Sequence, residues 1–234
     1  MTDIDPHSPI WEMIPGARDR KCHVCGVAVE IGKWCESCLL ADNLKLDRAR
    51  IARSLSALKR SAPKWPWPVP AESFFAERVR FGRFRGFAEK WKPEVGNVVL
   101  SGPSGTGKTS AMFFCMSRLG DEAIESVSDR HPICRAVWTS ALRLARAAKE
   151  HRLGNGPVEA VRDATHASIL FLDEVGQEPR SELLFDLLNE RYEGADLVTV
   201  VTTGLDLAQL RNHIGDAAVR RLVERGTHVE APGA

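Results

Sequence analysis

Three short runs of this sequence carry residue types and spacings suited to chemistry. The first is Gly102-Pro103-Ser104-Gly105-Thr106-Gly107-Lys108-Thr109, which fits G-x4-G-K-[ST] at every fixed position. Glycines let backbone N–H groups curl round phosphates, and a helix opening at Lys108, Thr109 and Ser110 adds its positive end. Lys108 is expected on the β- and γ-phosphates, and the Thr109 hydroxyl on Mg²⁺. The second run is Ile169-Leu170-Phe171-Leu172-Asp173-Glu174. Four apolar residues there predict a buried strand that delivers two carboxylates at its C-terminal end, the edge at which open α/β sheets bind ligands. Asp173 is expected to hold Mg²⁺, directly or through water. Glu174 is placed to orient and deprotonate an attacking water, which favours hydrolysis of the nucleotide over its storage.

The third run is Cys22-His-Val-Cys25, nine residues, then Cys35-Glu-Ser-Cys38. Two such knuckles can set four thiolates tetrahedrally round one Zn²⁺, at ~2.3 Å per Zn–S bond. His7 and His23 are unnecessary as ligands once both pairs are complete. Four protein ligands leave no open position for water, so the site reads as structural. Cys115 and Cys134 have no partner in sequence; each sits in an apolar run and reads as a small buried hydrophobe.

These groups need elements to hold them. Periodicity predicts a helix over 39–60, with Leu44, Ile51, Leu55 and Leu58 on one stripe. Residues 61–70 hold four prolines and break it, which sets a semi-rigid linker over 61–71 between a module at 1–60 and a domain at 72–234. Trp65 and Trp67 in that linker either dock on a neighbouring surface or stack on bases. Helical character resumes over 71–92. From 97 onward strands (97–101, 133–138, 168–172, 197–202, 227–230) alternate with helices (107–119, 140–151, 157–165, 180–192, 206–212, 215–225). Apolar strands without alternation, interleaved with helices, indicate an α/β fold whose parallel sheet is covered on both faces.

With 234 residues, 44% of them hydrophobic and 27% charged, the chain can bury a core. Its net charge of +1 hides an asymmetry: residues 45–92 carry 13 basic and 4 acidic side chains. Within them, Arg78, Arg80, Arg83, Arg85, Lys90 and Lys92 interleave with Phe81, Phe84, Phe87 and Trp91. That pattern suits single-stranded DNA, by phosphate contact and base stacking. It equally suits an amphipathic helix covering the sheet edge. No membrane-length apolar run or signal peptide is present, so a cytoplasmic protein with reduced thiols and no membrane partner is expected.

The phosphate loop, Asp173-Glu174 and the strand ending Val200-Val-Thr-Thr203 resemble an AAA+ ATPase. More narrowly, four segments resemble the bacterial replicative helicase-loader family of DnaC and DnaI type and the related IstB transposition helpers. They are Leu172-Asp-Glu-Val-Gly176, Leu184-Phe-Asp-Leu-Leu-Asn-Glu-Arg-Tyr192, Thr202-Thr-Gly-Leu205 and Gly215-Asp-Ala-Ala-Val-Arg-Arg-Leu222. The resemblance covers about 72–230. It implies an AAA+ P-loop sheet with ATP and Mg²⁺ as ligands, preceded here by the small zinc-ribbon-like module that the cysteine spacing predicts for Zn²⁺. It makes Thr203 the sensor of the γ-phosphate, with Thr202 the alternative because the family's usual Asn is Gly204 here. It makes Arg221 the finger that reaches a neighbouring subunit's site, with Arg220 the adjacent alternative.

The chain stops at Ala234, just after the last strand, so a domain without a helical lid and slow turnover by the isolated chain are expected. The partners implied are a replicative DNA helicase bound through 1–60, single-stranded DNA, and further copies of the chain across ATP-bridged interfaces. An IstB-like helper on duplex DNA, and a zinc-dependent adaptor using ATP only as a switch, are the alternatives.

Overall fold

The computed structural model describes residues 21–27, 35–64, 82–127, 130–151, 158–180, 182–194 and 196–231. The chain divides into two compact units, Met1–Arg50 and Ile51–Ala234. In the first, the described residues comprise the two cysteine pairs and the first part of helix α1 (Glu36–Ser61). This helix has no Gly or Pro, an acid in its first turn (Glu36) and bases in its last (Lys59, Arg60), which suit the helix dipole. Pro63 follows and cannot continue it. Ile51, Leu55 and Leu58, at helical spacing, are buried in the second unit's core.

The second unit holds helix α2 (Gly82–Lys90), strand β1 (Asn97–Ser101), α3 (Lys108–Ser126), β2 (Val137–Ser140), α4 (Ala141–Glu150) and α5 (Glu159–His166). Then come β3 (Ile169–Val175), α6 (Glu182–Glu193), β4 (Val198–Thr203), α7 (Leu207–Ile214), α8 (Asp216–Glu224) and β5 (Gly226–Glu230). The five strands form one sheet in the order β2-β3-β4-β1-β5, every pair parallel. The strands are apolar throughout because both faces are covered, and successive side chains serve opposite cores. Val98, Leu100, Ile169, Phe171 and Val200 join α1, α2 and α3 on one face. Val99, Leu170, Leu172, Val175 and Val201 join α4 to α8 on the other. The α/β sandwich expected from the sequence is thus the observed one.

Two local expectations are corrected. The strand expected over 133–138 begins only at Val137, because Pro132 starts a 3₁₀ turn (Pro132–Arg135) closed by Cys134 N–H on His131 O at 2.9 Å. Cys134 is therefore half-buried in that turn, whereas Cys115 is fully buried as expected. Helix α3 runs past residue 119 to Ser126 and ends at Val127 in the left-handed region, φ 48°. In the aromatic run, Phe84 and Trp91 are core residues and Arg85 pairs with Glu89 at 2.9 Å. Those contacts match the sheet-covering reading. Residues 71–81, Trp65 and Trp67 lie outside the described residues.

Arg191 on α6 is buried and makes no ion pair among the described residues. It donates to Thr199 Oγ1 (2.9 Å) and to the carbonyls of Ala164 (2.9 Å), Thr165 (3.0 Å), Ala167 (2.7 Å) and Val198 (2.7 Å). Three of these carbonyls are at the C-terminus of α5, the negative end of its dipole. Desolvation pulls the Arg191 pKa down to about 10, which leaves it charged at neutral pH. No described helix is long and apolar enough to cross a membrane.

Because Leu55 belongs to this core and Leu44 is exposed, Leu55→Ala is expected to destabilise the second unit by about 2–5 kcal/mol. Leu44→Ala is expected to stay within about 0.5 kcal/mol of wild type. Urea unfolding followed by the fluorescence of buried Trp91 and Trp138 checks both.

Candidate nucleotide site and cysteine cluster

The phosphate loop joins the end of β1 to the start of α3, beside the C-terminal ends of β3 and β4. Gly105 (φ 79°) and Gly107 (φ 89°) occupy the left-handed region, which the curl of the loop requires and a side chain disfavours. Gly102 packs on the residue after β5: a Cβ there would lie 2.8 Å from that of Ala231. The Lys108 Nζ crosses the loop and donates to Gly102 O and Pro103 O, both at 2.7 Å. Thr106 Oγ1 also donates to Pro103 O, at 2.9 Å. Burial pulls the Lys108 pKa down, against the opposing pull of Asp173 and Glu174.

The two carboxylates are separated in role by an irregularity in β3. Leu172 pairs with Val201 and Val175 with Thr203, so three steps on β3 match two on β4. The extra residue is a bulge, and Glu174 within it is left-handed at φ 57°. Such strain in a residue with a side chain is costly and concentrates at functional sites. The bulge leaves Asp173 buried and Glu174 exposed on the cavity wall.

Asp173 Oδ1 accepts from Thr109 Oγ1 at 2.9 Å and from Thr202 Oγ1 at 2.5 Å. Thr202 Oγ1 in turn accepts the Glu174 N–H at 2.9 Å. Burial pushes the Asp173 pKa up; its two threonine donors oppose that, and Glu174 adds to it.

These residues enclose a cavity of about 260 Å³, lined by Ser104, Gly105, Gly107, Lys108, Thr109, Ser110, Glu174, Gln177, Thr202, Thr203 and Gly204. Among them Lys108 is the sole cation. The Thr203 hydroxyl donates to Val175 O (2.7 Å) and accepts Leu205 N–H (3.1 Å), so Thr202 is the threonine whose hydroxyl meets the carboxylate. Arg221 is elsewhere, donating to Asn189 Oδ1 and stacked on Tyr192; Arg220 is exposed and 3.6 Å from Glu224.

Sequence reasoning missed Gln177 on the cavity wall and the buried Glu178. The Glu178 carboxylate takes Gly176 N–H at 3.0 Å and meets His213 Nε2 at 2.7 Å, tying the loop after β3 to α7. Ser101 Oγ likewise meets His228 Nε2 of β5 at 2.7 Å, directly before the loop. These partners are 35 and 127 residues apart, and no spacing rule could have joined them.

In the first unit the four cysteines converge as expected. The Sγ atoms of Cys22, Cys25, Cys35 and Cys38 all lie within 4.8 Å of one another, with Cys25 and Cys35 at 3.5 Å. A tetrahedral Zn–S₄ centre needs sulfurs about 3.8 Å apart. Hydrogen bonds from the backbone of Cys25, Cys35 and Val24 pull the Cys22 pKa down to about 6. Hydrogen bonds to Cys35 and then Cys25 push Cys38 up to about 12. The four-sulfur donor set and its spacing fit Zn²⁺.

The expected outcome for Cys25→Ser is loss of a stoichiometric zinc ion by elemental analysis, with the unfolding transition of the second unit unchanged. Asp173 gives a second expectation. Its folded pKa is raised, so its contribution to stability is present in acid and is lost as pH rises through that pKa. Asp173→Asn should therefore raise the thermal midpoint of the nucleotide-free protein at neutral pH, a gain that shrinks as the solution is acidified. The same substitution should abolish Mg²⁺-dependent nucleotide binding, read by titration calorimetry.

The family model described as IstB-like ATP binding protein matches residues 87–230. No curated protein sequence matches the chain significantly. Among solved structures, the DnaC helicase loader is 16% identical, with TM-score 0.48, covering 77% of this chain and 99% of its own. DnaI is 18% identical, with TM-score 0.49, covering 74% and 92%. AMPPCP-bound DnaA from Aquifex aeolicus is 24% identical, with TM-score 0.46, covering 66% and 46%. The five-stranded parallel sheet, covered by helices on both faces, carries its phosphate loop between β1 and α3 as nucleotide-binding α/β folds do. The chain belongs to the IstB-like ATP-binding family.

Proposed function

We propose that this chain is a Mg²⁺-dependent ATPase that loads or remodels a replicative helicase on single-stranded DNA, hydrolysing ATP between subunits. The nucleotide part of the reading is supported by the shared carboxylate: Asp173 is buried under the cavity and already bound to the phosphate-loop residue Thr109. The loop from Gly102 to Ser110 wraps the phosphates with N–H groups, and Lys108 exchanges its loop carbonyls for phosphate oxygens. Thr109 and Asp173 would hold Mg²⁺, which neutralises phosphate charge and aligns the reacting groups. Glu174 accepts a proton from water as the water oxygen bonds to the γ-phosphorus. The bond from that phosphorus to the β,γ-bridging oxygen breaks, and ADP and phosphate leave. The sensing hydroxyl is best supplied by Thr202, which links Asp173 to the Glu174 backbone; Thr203 spends its hydroxyl on Val175 O. Arg221 acts on a second copy's nucleotide.

The observation that carries the partner is where apolar side chains are exposed. Six of the eight large exposed hydrophobics among the described residues fall in the cysteine unit: Val24, Val27, Leu39, Leu40, Leu44 and Leu46. Such a concentration marks a protein-binding surface, and a protein partner for 1–60 fits a helicase. The second reading, a transposition helper on duplex DNA, is favoured by the family match itself.

Mass measurement of the full chain with ATP and Mg²⁺, with and without the host's replicative helicase, separates these. A chain–helicase complex supports loading; ATP-dependent filaments on duplex DNA with no helicase complex would overturn it. Glu174→Gln is expected to lower turnover by about 10²–10⁴-fold while ATP affinity is retained. Unchanged turnover would remove Glu174 from the reaction.

A further inference from the structure

We propose that Arg221 and Arg225, both seated on the ring of Tyr192, form a two-guanidinium clamp for the polyphosphate of ATP bound to a second copy of this chain. The proposal rests on the between-subunit reading and adds Arg225 as a second cation and Tyr192 as the positioning residue.

Arg221 lies on α8 and Arg225 caps its end, at the i, i+4 spacing that puts two side chains on one face. Like charges at that spacing repel, and the structure compensates with an aromatic face. The Arg221 guanidinium is 5.0 Å from the Tyr192 ring centroid and that of Arg225 is 4.1 Å from it. Arg221 also donates to Asn189 Oδ1, and Arg225 to Tyr192 O at 3.1 Å. The backbone beneath is fixed, because Arg225 O accepts the Asn97 N–H at 2.9 Å. A Cβ on Gly96 would come within 2.1 Å of that oxygen, so the close approach depends on glycine.

Charge gives the reason for an anionic partner. Neighbouring arginines are neutralised: Arg220 by Glu224 and Arg211 by Asp216. Among the described residues, Arg221 and Arg225 have no carboxylate in ion-pair reach, and Arg191, which borders the same small cavity, has none either. Two guanidiniums seated on one ring, with Arg191 behind them saturated by its own five acceptors, leave a surface that seeks several negative charges, as a polyphosphate supplies. The chain's own nucleotide is out of position for it. The clamp borders Asn97 at the start of β1, whereas the phosphate loop follows the other end of that strand, ~13 Å away at ~3.3 Å per residue. None of the three residues lines the nucleotide cavity.

The test mixes two full-length variants. Glu174→Gln keeps its arginines and lacks the base; Arg225→Ala keeps the base and lacks the second cation. Each alone is expected to turn over ATP at least tenfold more slowly than wild type, and an equimolar mixture is expected to regain activity above either. Tyr192→Phe should behave as wild type and Tyr192→Leu as Arg225→Ala. ATP-dependent self-association, read by mass, should weaken in Arg225→Ala while its monomer binds ATP normally.

Wild-type turnover in Arg225→Ala, or a deficit that mixing does not restore, overturns the clamp. So does loss of single-stranded DNA binding with turnover intact, which would reassign the cations to nucleic-acid phosphate. If Arg221→Ala also turns over at the wild-type rate, hydrolysis between subunits itself fails, a result distinct from failure of Arg225 and Tyr192 alone.

Discussion

One oxygen, Asp173 Oδ1, is where the nucleotide site is assembled. It takes hydroxyls from Thr109 at the start of α3 and from Thr202 on β4. Three elements, β3, β4 and α3, are therefore registered to each other beside the cavity, at the point where the proposed reaction would place phosphate and metal. The carboxylate is buried, so ionising it is costly, and the two hydroxyls only partly repay that. In the proposed reaction a cation beside Asp173 would offset that cost, so nucleotide and metal binding would add to stability.

The bulge at Asp173–Glu174 is the geometric counterpart of that cost. In a regular strand, adjacent side chains point to opposite faces, and two neighbouring carboxylates could not serve one cavity. One extra residue and a left-handed Glu174 break the alternation. Asp173 stays in the buried layer and Glu174 reaches the cavity. The adjacent sheet supports this distortion from both sides, because its apolar residues fill two separate cores. Arg191 adds a further anchor by tying α5, α6 and β4 through five acceptors.

Much of this was legible in the sequence, for physical reasons that can be named. The phosphate loop was legible because glycines at fixed spacing have one use ahead of Lys-Thr. The parallel sheet was legible because strands covered on both faces must be continuously apolar. The cysteine cluster was legible because the two pairs sit a short loop apart. The strand at 133–138 was misplaced because Ile133, Cys134 and Ala136 look like a strand while Pro132 drives a 3₁₀ turn. The choice between Thr202 and Thr203 was not legible, since it depends on which hydroxyl the bulge brings to Asp173. The Glu178–His213 and Ser101–His228 contacts and the stacking of two arginines on Tyr192 join residues remote in sequence. Only the folded chain shows them.

The cysteine cluster belongs to the first compact unit and the nucleotide cavity to the second. Among the described residues, exposed large apolar side chains are concentrated in the first, and Asp173, Glu174 and the phosphate loop belong to the second. In the proposed reaction Asp173 and Thr109 hold the metal of an ATP molecule whose water Glu174 activates. Its most direct test is a structure of Glu174→Gln with ATP and Mg²⁺. Intact ATP is expected in the loop from Gly102 to Ser110, with the metal on the Thr109 hydroxyl side of Asp173. Triphosphate bound with no metal near Asp173, or nucleotide outside that loop, would contradict it.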